Sequence, residues 1–342
     1  MIPSNETVQL YDLPNTMKAI VLESPSETFA LQEVELPLPQ CDDNEILVKV
    51  EFVGLNPLDA QFAKTGFCKW QYPHILGLDA VGTVVQANKG QFPSVGDRIM
   101  WHSSLAQQGV LSEYAKVPNF AVALLPENLA SKTAAAIPCS GLSALIAVEK
   151  IQINEGDTVF IDAGAGAVGQ FAIQLAKQRG ADVFTMASKH NHKLVKKLGA
   201  DAVFDYKDKK LCEKIATALG PQGFDAVIDT IGGDSTLRNI ELMRFCGRIA
   251  CLKSLPILAP ELLFRKAPNI SIVSLGGAWL SNSLCAQQRM SFMNNQLLEN
   301  IANGDITVPK ISQVSFNAEA ITQALHHQID GGFTGKQIVE IM

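Results

Sequence analysis

The stretch "IDAGAGAVGQFAIQLAKQRGADVF", residues 161–184, limits the possible folds more than any other part of the chain. Three glycines, Gly164, Gly166 and Gly169, stand at G-x-G-x-x-G spacing between an apolar run, Asp157–Ala163, and a segment with helical periodicity, Val168–Arg179. A second apolar run, "ADVFTM", follows at once. The spacing predicts strand, tight turn, helix and next strand within about 30 residues, which is the βαβ context that gives an otherwise weak triplet its meaning. The physical demands on such a turn are distinct. Gly164 makes the tight turn, Gly166 lets the backbone approach a pyrophosphate, and Gly169 lets helix and strand pack closely. Free N–H groups at the helix start, around Ala167 and Val168, then face the anion. The alternative is a structural turn that holds no ligand.

Which dinucleotide would bind is decided at the end of the second strand. A site for NAD usually places Asp or Glu there to bond the ribose 2′-hydroxyl. This chain has Ser188 and Lys189, in "FTMASKHN", and no acid. A carboxylate would repel a 2′-phosphate, whereas a hydroxyl and an ammonium, with the donors Asn191 and Tyr206 nearby, would hold one. NADPH is therefore the expected cofactor. Lys189 can also be read as an ordinary solvated loop lysine.

The 342 residues are enough for two domains. From Met17 to about Val122 the signals are short β-rich runs ("MKAIVLE", "EILVKVEFVG", "DAVGTVVQA", "DRIMW") separated by Pro, Gly, Asn and Asp. From about Ser131 strands alternate with helical patterns, which predicts a doubly wound parallel sheet. After about Gly276 a helical stretch and short strands ending in "GKQIVEIM" are expected to return to the first domain. The expected division is 17–130 and 276–342 for the β-rich domain and 131–275 for the nucleotide domain. "NISIVSLGG", residues 269–277, reads as the sixth, edge strand of the parallel sheet, with no Pro or Lys to discourage pairing. Such an edge invites a second copy, so a homodimer is expected.

A formal net charge of −6, with basic residues scattered except for a short cluster at Lys207, Lys209 and Lys210, suggests no nucleic-acid footprint. Seven cysteines without a C-x-x-C pair suggest neither a disulfide framework nor a zinc knuckle, and fit a reducing cytoplasm. The N-terminus lacks the basic start and apolar core of a signal peptide. The longest apolar stretch, residues 133–148, is broken by Pro138, Ser140, Gly141 and Ser143, so no membrane span is expected.

The order of motifs resembles the medium-chain dehydrogenase/reductases, and within them the zinc-independent quinone oxidoreductase branch. The resemblance runs from "MKAIVLE" through "VGLNPLDAQ", "LGLDAVGTV", "VGDRIM", "GVLSEYAKVP", "AAIPCSGLSA", "AGAGAVG", "LGADAVFDY" and "FDAVIDTIGG" to "GGFTGKQIV". It implies a GroES-like β-rich catalytic domain, a Rossmann nucleotide-binding domain and an active site in the cleft between them. Where zinc alcohol dehydrogenases carry Cys followed by His, this chain has Asn56 and Pro57; where they carry Gly-His-Glu, it has Gly77, Leu78 and Asp79. Only Cys139 matches a zinc-ligand position, and no cysteine lies between Arg98 and Glu113 for a structural zinc lobe. No metal is expected, because one thiolate cannot assemble a site that needs three protein ligands. Cys139 reads as a small thiol beside the nicotinamide or as a redox-sensitive residue.

Without zinc, the chemistry implied is hydride delivery from NADPH to a quinone or an α,β-unsaturated carbonyl. Asn56 is the expected hydrogen-bond donor to the acceptor oxygen, with a loop-capping amide as its alternative. Ser143 is expected to border the nicotinamide. Gln61 stands where some quinone reductases have tyrosine, and no residue offers itself as proton donor, which leaves water. The alternatives are a non-enzymatic NADPH-binding protein, like the crystallins and RNA binders of the family, and a zinc alcohol dehydrogenase.

Overall fold

The computed structural model describes residues 7–9, 12–331 and 333–341. The chain forms two units, one taking it up to Cys139 and again from Leu275, the other Ser140–Ser274. The second unit therefore begins later than the sequence texture suggests. The short helix Ser131–Ala134 packs on strands of the first unit, and the division falls inside the helix Pro138–Lys150.

In the first unit, alternating β-branched residues build a mainly antiparallel sheet. Its main path runs Ile311–Ser315, Lys336–Glu340, Glu45–Gly54, Asp79–Asn88, Arg98–His102 and Val122–Leu124, with Tyr114–Pro118 joined to Glu45–Gly54. Thr7–Gln9, which precede the first motif at Met17, pair with Gln86–Asn88. The core gathers Ile20, Val48, Val53, Val84, Ile99 and Trp101, all fully buried. The indole N–H of Trp101, which could not be buried unpaired without cost, donates to Ser103 Oγ at 2.8 Å. Because strand side chains alternate in face, Trp101 in the core leaves its neighbour His102 to point the other way.

Register on that second face positions the chemistry. Asp79 lies opposite Gly54 on one side and opposite His102 on the other, and Ile338 lies opposite Gly54 from the C-terminal strand. The antiparallel continuation of that last pair brings Lys336 beside Asn56.

In the second unit all strand pairs are parallel. Across the sheet they run Ala202–Phe204, Asp182–Met186, Thr158–Ile161, Phe224–Asp229, Met243–Cys251 and Asn269–Ile272. This order, third-second-first-fourth-fifth-sixth, is that of the Rossmann fold, whose ligands bind where the order reverses, at the carboxyl ends of the first and fourth strands. Phe160 on the first strand stacks on Phe224 of the fourth with ring centres 5.0 Å apart. The edge position of residues 269–272 agrees with the sequence, but the strand is shorter than 269–277. It ends at Ile272, Val273 is buried, and Leu275–Leu280 is helical. No helix of the described residues is long and apolar enough to cross a membrane.

The glycine turn sits at the reversal of strand order, between Thr158–Ile161 and the helix Ala167–Gln178. Its three glycines are needed for different reasons. A Cβ at Gly164 would run into the side chain of Thr185, whose hydroxyl is held by the carbonyl of Ile161 at 2.6 Å. A Cβ at Gly169 would reach Gly164 Cα at 2.7 Å. At Gly166 a Cβ would meet only the carbonyl oxygen of Ala163, at 3.2 Å. We expect Gly164→Ala and Gly169→Ala to lower stability by about 1–3 kcal/mol each, as forced overpacking does. Gly166→Ala at the helix N-cap should cost no more than about 1 kcal/mol. Denaturant melts of the three variants check this; equal losses at all three positions would refute it.

Candidate functional site

The first group of functional residues lies at one end of the β-rich sheet. Asp79, wholly buried, is its centre. One carboxylate oxygen lies 2.8 Å from His102 Nδ1; the other accepts from Asn56 Nδ2 at 2.9 Å and from the Lys336 ammonium at 3.0 Å. The backbone N–H of Cys139, at the start of the helix Pro138–Lys150, lies 3.1 Å from both. Burial pushes the Asp79 carboxyl up, but the Lys336 charge, with the His102 and Asn56 hydrogen bonds, outweighs it and holds the group down to about 2. An ionised carboxylate can only accept, so His102 carries its proton on Nδ1.

Lys336 is 3% exposed and also donates to Asn56 Oδ1 at 2.5 Å. Its stem has room because residue 54 is glycine: a Cβ there would come within 3.0 Å of Lys336 Cε. Asp59, on the first turn of the helix Pro57–Thr65, accepts the Asn56 backbone N–H at 2.8 Å. Burial, and then the negative charge of Asp79, push its carboxyl up to about 7. The two buried acids thus differ in kind. Asp79 is a permanent anion matched by Lys336, and Asp59 keeps its proton well above the ordinary carboxylate range.

The donor role expected of Asn56 is corrected by this geometry. Its two amide hydrogens go to Asp79 and to the carbonyl of Gly54, at 3.2 Å, and its oxygen accepts from Lys336. At 3% exposure it has no N–H left for an acceptor, so Asn56 orders the buried network. Lys336 and His102 were not singled out from sequence, although Lys336 lies inside the quoted motif "GGFTGKQIV" and His102 directly follows "DRIMW".

Ligand atoms of Asp79, His102 and Cys139 lie within 4.8 Å of one another, a spacing that could bracket a metal ion. Their surroundings do not fit one. Both oxygens of Asp79 are occupied by donors, and an ammonium stands 3.0 Å from the carboxylate where a divalent ion would have to compete with it. Leu78, in place of a ligating histidine, is buried and offers no donor atom.

The second group belongs to the nucleotide unit. Gly166 caps the helix Ala167–Gln178 with extended backbone, so the amides of Ala167, Val168 and Gly169 form the first turn, whose N–H groups point along the axis out of the helix end. Gly166, where a Cβ would press on the Ala163 carbonyl oxygen at 3.2 Å, is the least crowded of the three turn glycines and stands at the helix end where a pyrophosphate would be held. Ser188, Lys189 and Asn191 follow the end of the second strand, and Tyr206 follows the end of its neighbour, Ala202–Phe204. Asn191 Nδ2 donates to Ser188 Oγ at 3.2 Å. Lys189 is exposed, Tyr206 is half exposed, and Lys207 Nζ lies 5.8 Å from the centre of the Tyr206 ring. His190, which the sequence reading passed over, has its Nε2 3.2 Å from Ser188 Oγ. The nearby acids are turned to other tasks: Asp205 accepts the Lys207 backbone N–H at 3.0 Å, and Asp208 pairs with Lys214 at 2.5 Å. Ser143 is buried on the helix Pro138–Lys150, one turn beyond Cys139.

Comparison with known proteins agrees with this division. Residues 42–127 match the family described as "Alcohol dehydrogenase GroES-like domain", and residues 167–278 the one described as "Zinc-binding dehydrogenase". The trans-enoyl reductase tazE of Aspergillus terreus is 35% identical over 224 residues, covering 60% of this chain and 73% of that protein. The quinone oxidoreductase of Sus scrofa is 31% identical over 234 residues, 67% of this chain and 70% of its own. The structure of mycobacterial Rv1454c complexed with NADPH is 26% identical, covers 95% of this chain and 99% of its own, and superimposes with a TM-score of 0.84. With both domains matched in order and a quinone oxidoreductase among its relatives, the chain belongs to the medium-chain dehydrogenase/reductase superfamily, in its quinone oxidoreductase-like branch.

Proposed function

We propose that the protein is an NADPH-dependent reductase that delivers hydride to an electron-poor acceptor, an α,β-unsaturated carbonyl or a quinone, without a metal. The observation that carries this reading is a dinucleotide turn in a chain whose only candidate metal cluster among the described residues is occupied by Lys336. NADPH, when bound, supplies the hydride. Metal-assisted polarisation of an unactivated alcohol or ketone has no place in such a site, which limits acceptors to those already polarised by conjugation. The likeness to a trans-enoyl reductase supports the enone, and exposed Gln61, in place of tyrosine, supports it over the quinone.

The residues of this chain then bind and orient. The amides of Ala167, Val168 and Gly169, with the turn glycines Gly164 and Gly166, hold the pyrophosphate. Ser188, Lys189, Asn191 and Tyr206, joined by His190, hold the 2′-phosphate by charge-assisted hydrogen bonds. Ser143, on the same unit as the turn, borders the nicotinamide. The Asp79–Lys336 pair matches charge with charge in the buried cluster of the β-rich unit, and water supplies the proton that completes the product. The reaction takes place in the cytoplasm.

The edge strand Asn269–Ile272 is the proposed centre of a homodimer. Ile272 on the strand is 45% exposed, and the segment leading to it exposes Phe264 to 89% and Ile257 to 98%, apolar side chains that a second copy would cover.

NADPH oxidation with a panel of enones and quinones tests the function. Turnover should persist unchanged after exhaustive chelation; absence of turnover with every acceptor would favour a non-enzymatic binding protein, and loss on chelation would favour a zinc enzyme. NADPH should bind about tenfold or more tightly than NADH. Lys189→Asp should erase that preference by placing an anion beside the 2′-phosphate, and Gly166→Ala should weaken both cofactors. Equal dissociation constants for NADPH and NADH in the wild type would sink the assignment. Sedimentation should give twice the 36.9 kDa chain mass, shifting toward monomer in Ile272→Lys. Val273 is buried, so its replacement would report on folding instead.

A further inference from the structure

Lysines gather at one edge of the nucleotide unit. From Lys189 to Lys214 the chain carries eight lysines and four acids, within a protein whose formal net charge is −6. All eight lysines are exposed. The acids do little to neutralise them: Asp201 pairs with Lys177 from another segment, Asp208 is taken by Lys214 and the Lys210 backbone N–H, and Asp205 accepts the Lys207 backbone N–H. The strands Asp182–Met186 and Ala202–Phe204 run parallel with Met186 opposite Phe204, so the two lysine-bearing loops leave the sheet at the same carboxyl edge. The hydrogen bonds from Lys214 and the Lys210 N–H, and then the charges of Lys214 and Lys189, hold the Asp208 carboxyl below the usual range. A charge on the first loop is thus felt on the second.

Helix dipoles account for some of these charges and not for others. Lys196 and Lys197 close the helix His192–Lys197, where a cation complements the carbonyl end. Lys193 stands in the first turn of that helix with no acid beside it, four residues from Lys197. Lys209 and Lys210 directly precede the helix Leu211–Leu219, Lys210 as its N-cap residue. Cations at these starts oppose the dipole, and lysines four apart repel one another, so the fold gains nothing from their charge. We propose that Lys193, Lys209 and Lys210 steer NADPH to the nucleotide unit and select it over NADH by rate of association rather than by contact. The inference rests on the NADPH reading above, which sets the 2′-phosphate against Ser188, Lys189, Asn191 and Tyr206 at the carboxyl edge that these lysines flank. That phosphate adds about −1.5 to −2 of charge that NADH lacks. A positive edge on an otherwise acidic protein draws in the more highly charged dinucleotide from a distance, through solvent that salt can screen. A direct phosphate contact, by contrast, acts mainly by slowing dissociation and depends on donor geometry.

The test is stopped-flow binding of NADPH and of NADH to the purified full chain, followed by dinucleotide fluorescence at low and at physiological salt. Raising the ionic strength from about 0.01 M to about 0.15 M shortens the Debye length from about 30 Å to about 8 Å; it should lower the wild-type association rate constant about tenfold for NADPH and about threefold or less for NADH. The variant Lys193→Gln/Lys209→Gln/Lys210→Gln should lose about fivefold or more in NADPH association at low salt, with a flatter salt dependence and dissociation within about twofold of wild type. The variant Lys193→Arg/Lys209→Arg/Lys210→Arg keeps the charge, alters the donor geometry and should associate as wild type does. An NADPH preference carried by slower dissociation alone, with association insensitive to salt and to these lysines, would overturn the steering and leave the NADPH reading standing. So would a loss in the glutamine variant that appears only in dissociation, or one that the arginine variant shares. Equal association and dissociation rate constants for the two dinucleotides in the wild type would overturn both.

Discussion

The β-rich unit is organised around one buried ion pair, Lys336 with Asp79. Taking either charge out of water alone would be strongly unfavourable; deleting one partner of such a pair typically costs about 3–5 kcal/mol because the other is left uncompensated. The pair is tolerated because strong donors and acceptors are gathered around it. Asn56 bridges it, His102 and the Cys139 amide complete the carboxylate, and Asp59 beside it retains its proton to about 7. A second permanent anion there would have no cation to match it.

That arrangement also explains why the unit needs its C-terminal return. Lys336 comes from a strand laid down after the whole nucleotide unit has been made, 280 residues beyond Asn56. The strand supplies ladder hydrogen bonds, among them Leu55 N–H to the carbonyl of Gln337 at 3.0 Å, and the charge that neutralises the centre. Packing and electrostatics are therefore completed by the same segment.

The nucleotide unit follows a different logic, in which the decisive contacts are local. Gly164 and Gly169 are demanded by the backbone and by Thr185, whereas Gly166 is less tightly enclosed, with the Ala163 carbonyl oxygen 3.2 Å from where a Cβ would stand. A glycine at the start of a helix and at the point where strand order reverses is what a ligand-facing turn requires.

The sequence by itself determined the parallel unit, its glycine turn and the absence of an acid after the second strand. Each of these is written within a few consecutive residues, where propensity and spacing act directly. It also placed the edge strand, though too long, because the apolar run "SIVSL" has the same composition whether it continues as strand or turns into the helix at Leu275. The tertiary structure alone decided the chemistry of the β-rich side. His102 is one residue past a strand motif and Lys336 one letter of a C-terminal motif, and nothing local says that either will meet Asp79. Cross-strand register does, since it sets residues from four separate segments on one face of one sheet. That face turned Asn56 from an expected donor to substrate into a strut between an ammonium and a carboxylate, because a buried charge recruits whatever dipoles the register places beside it.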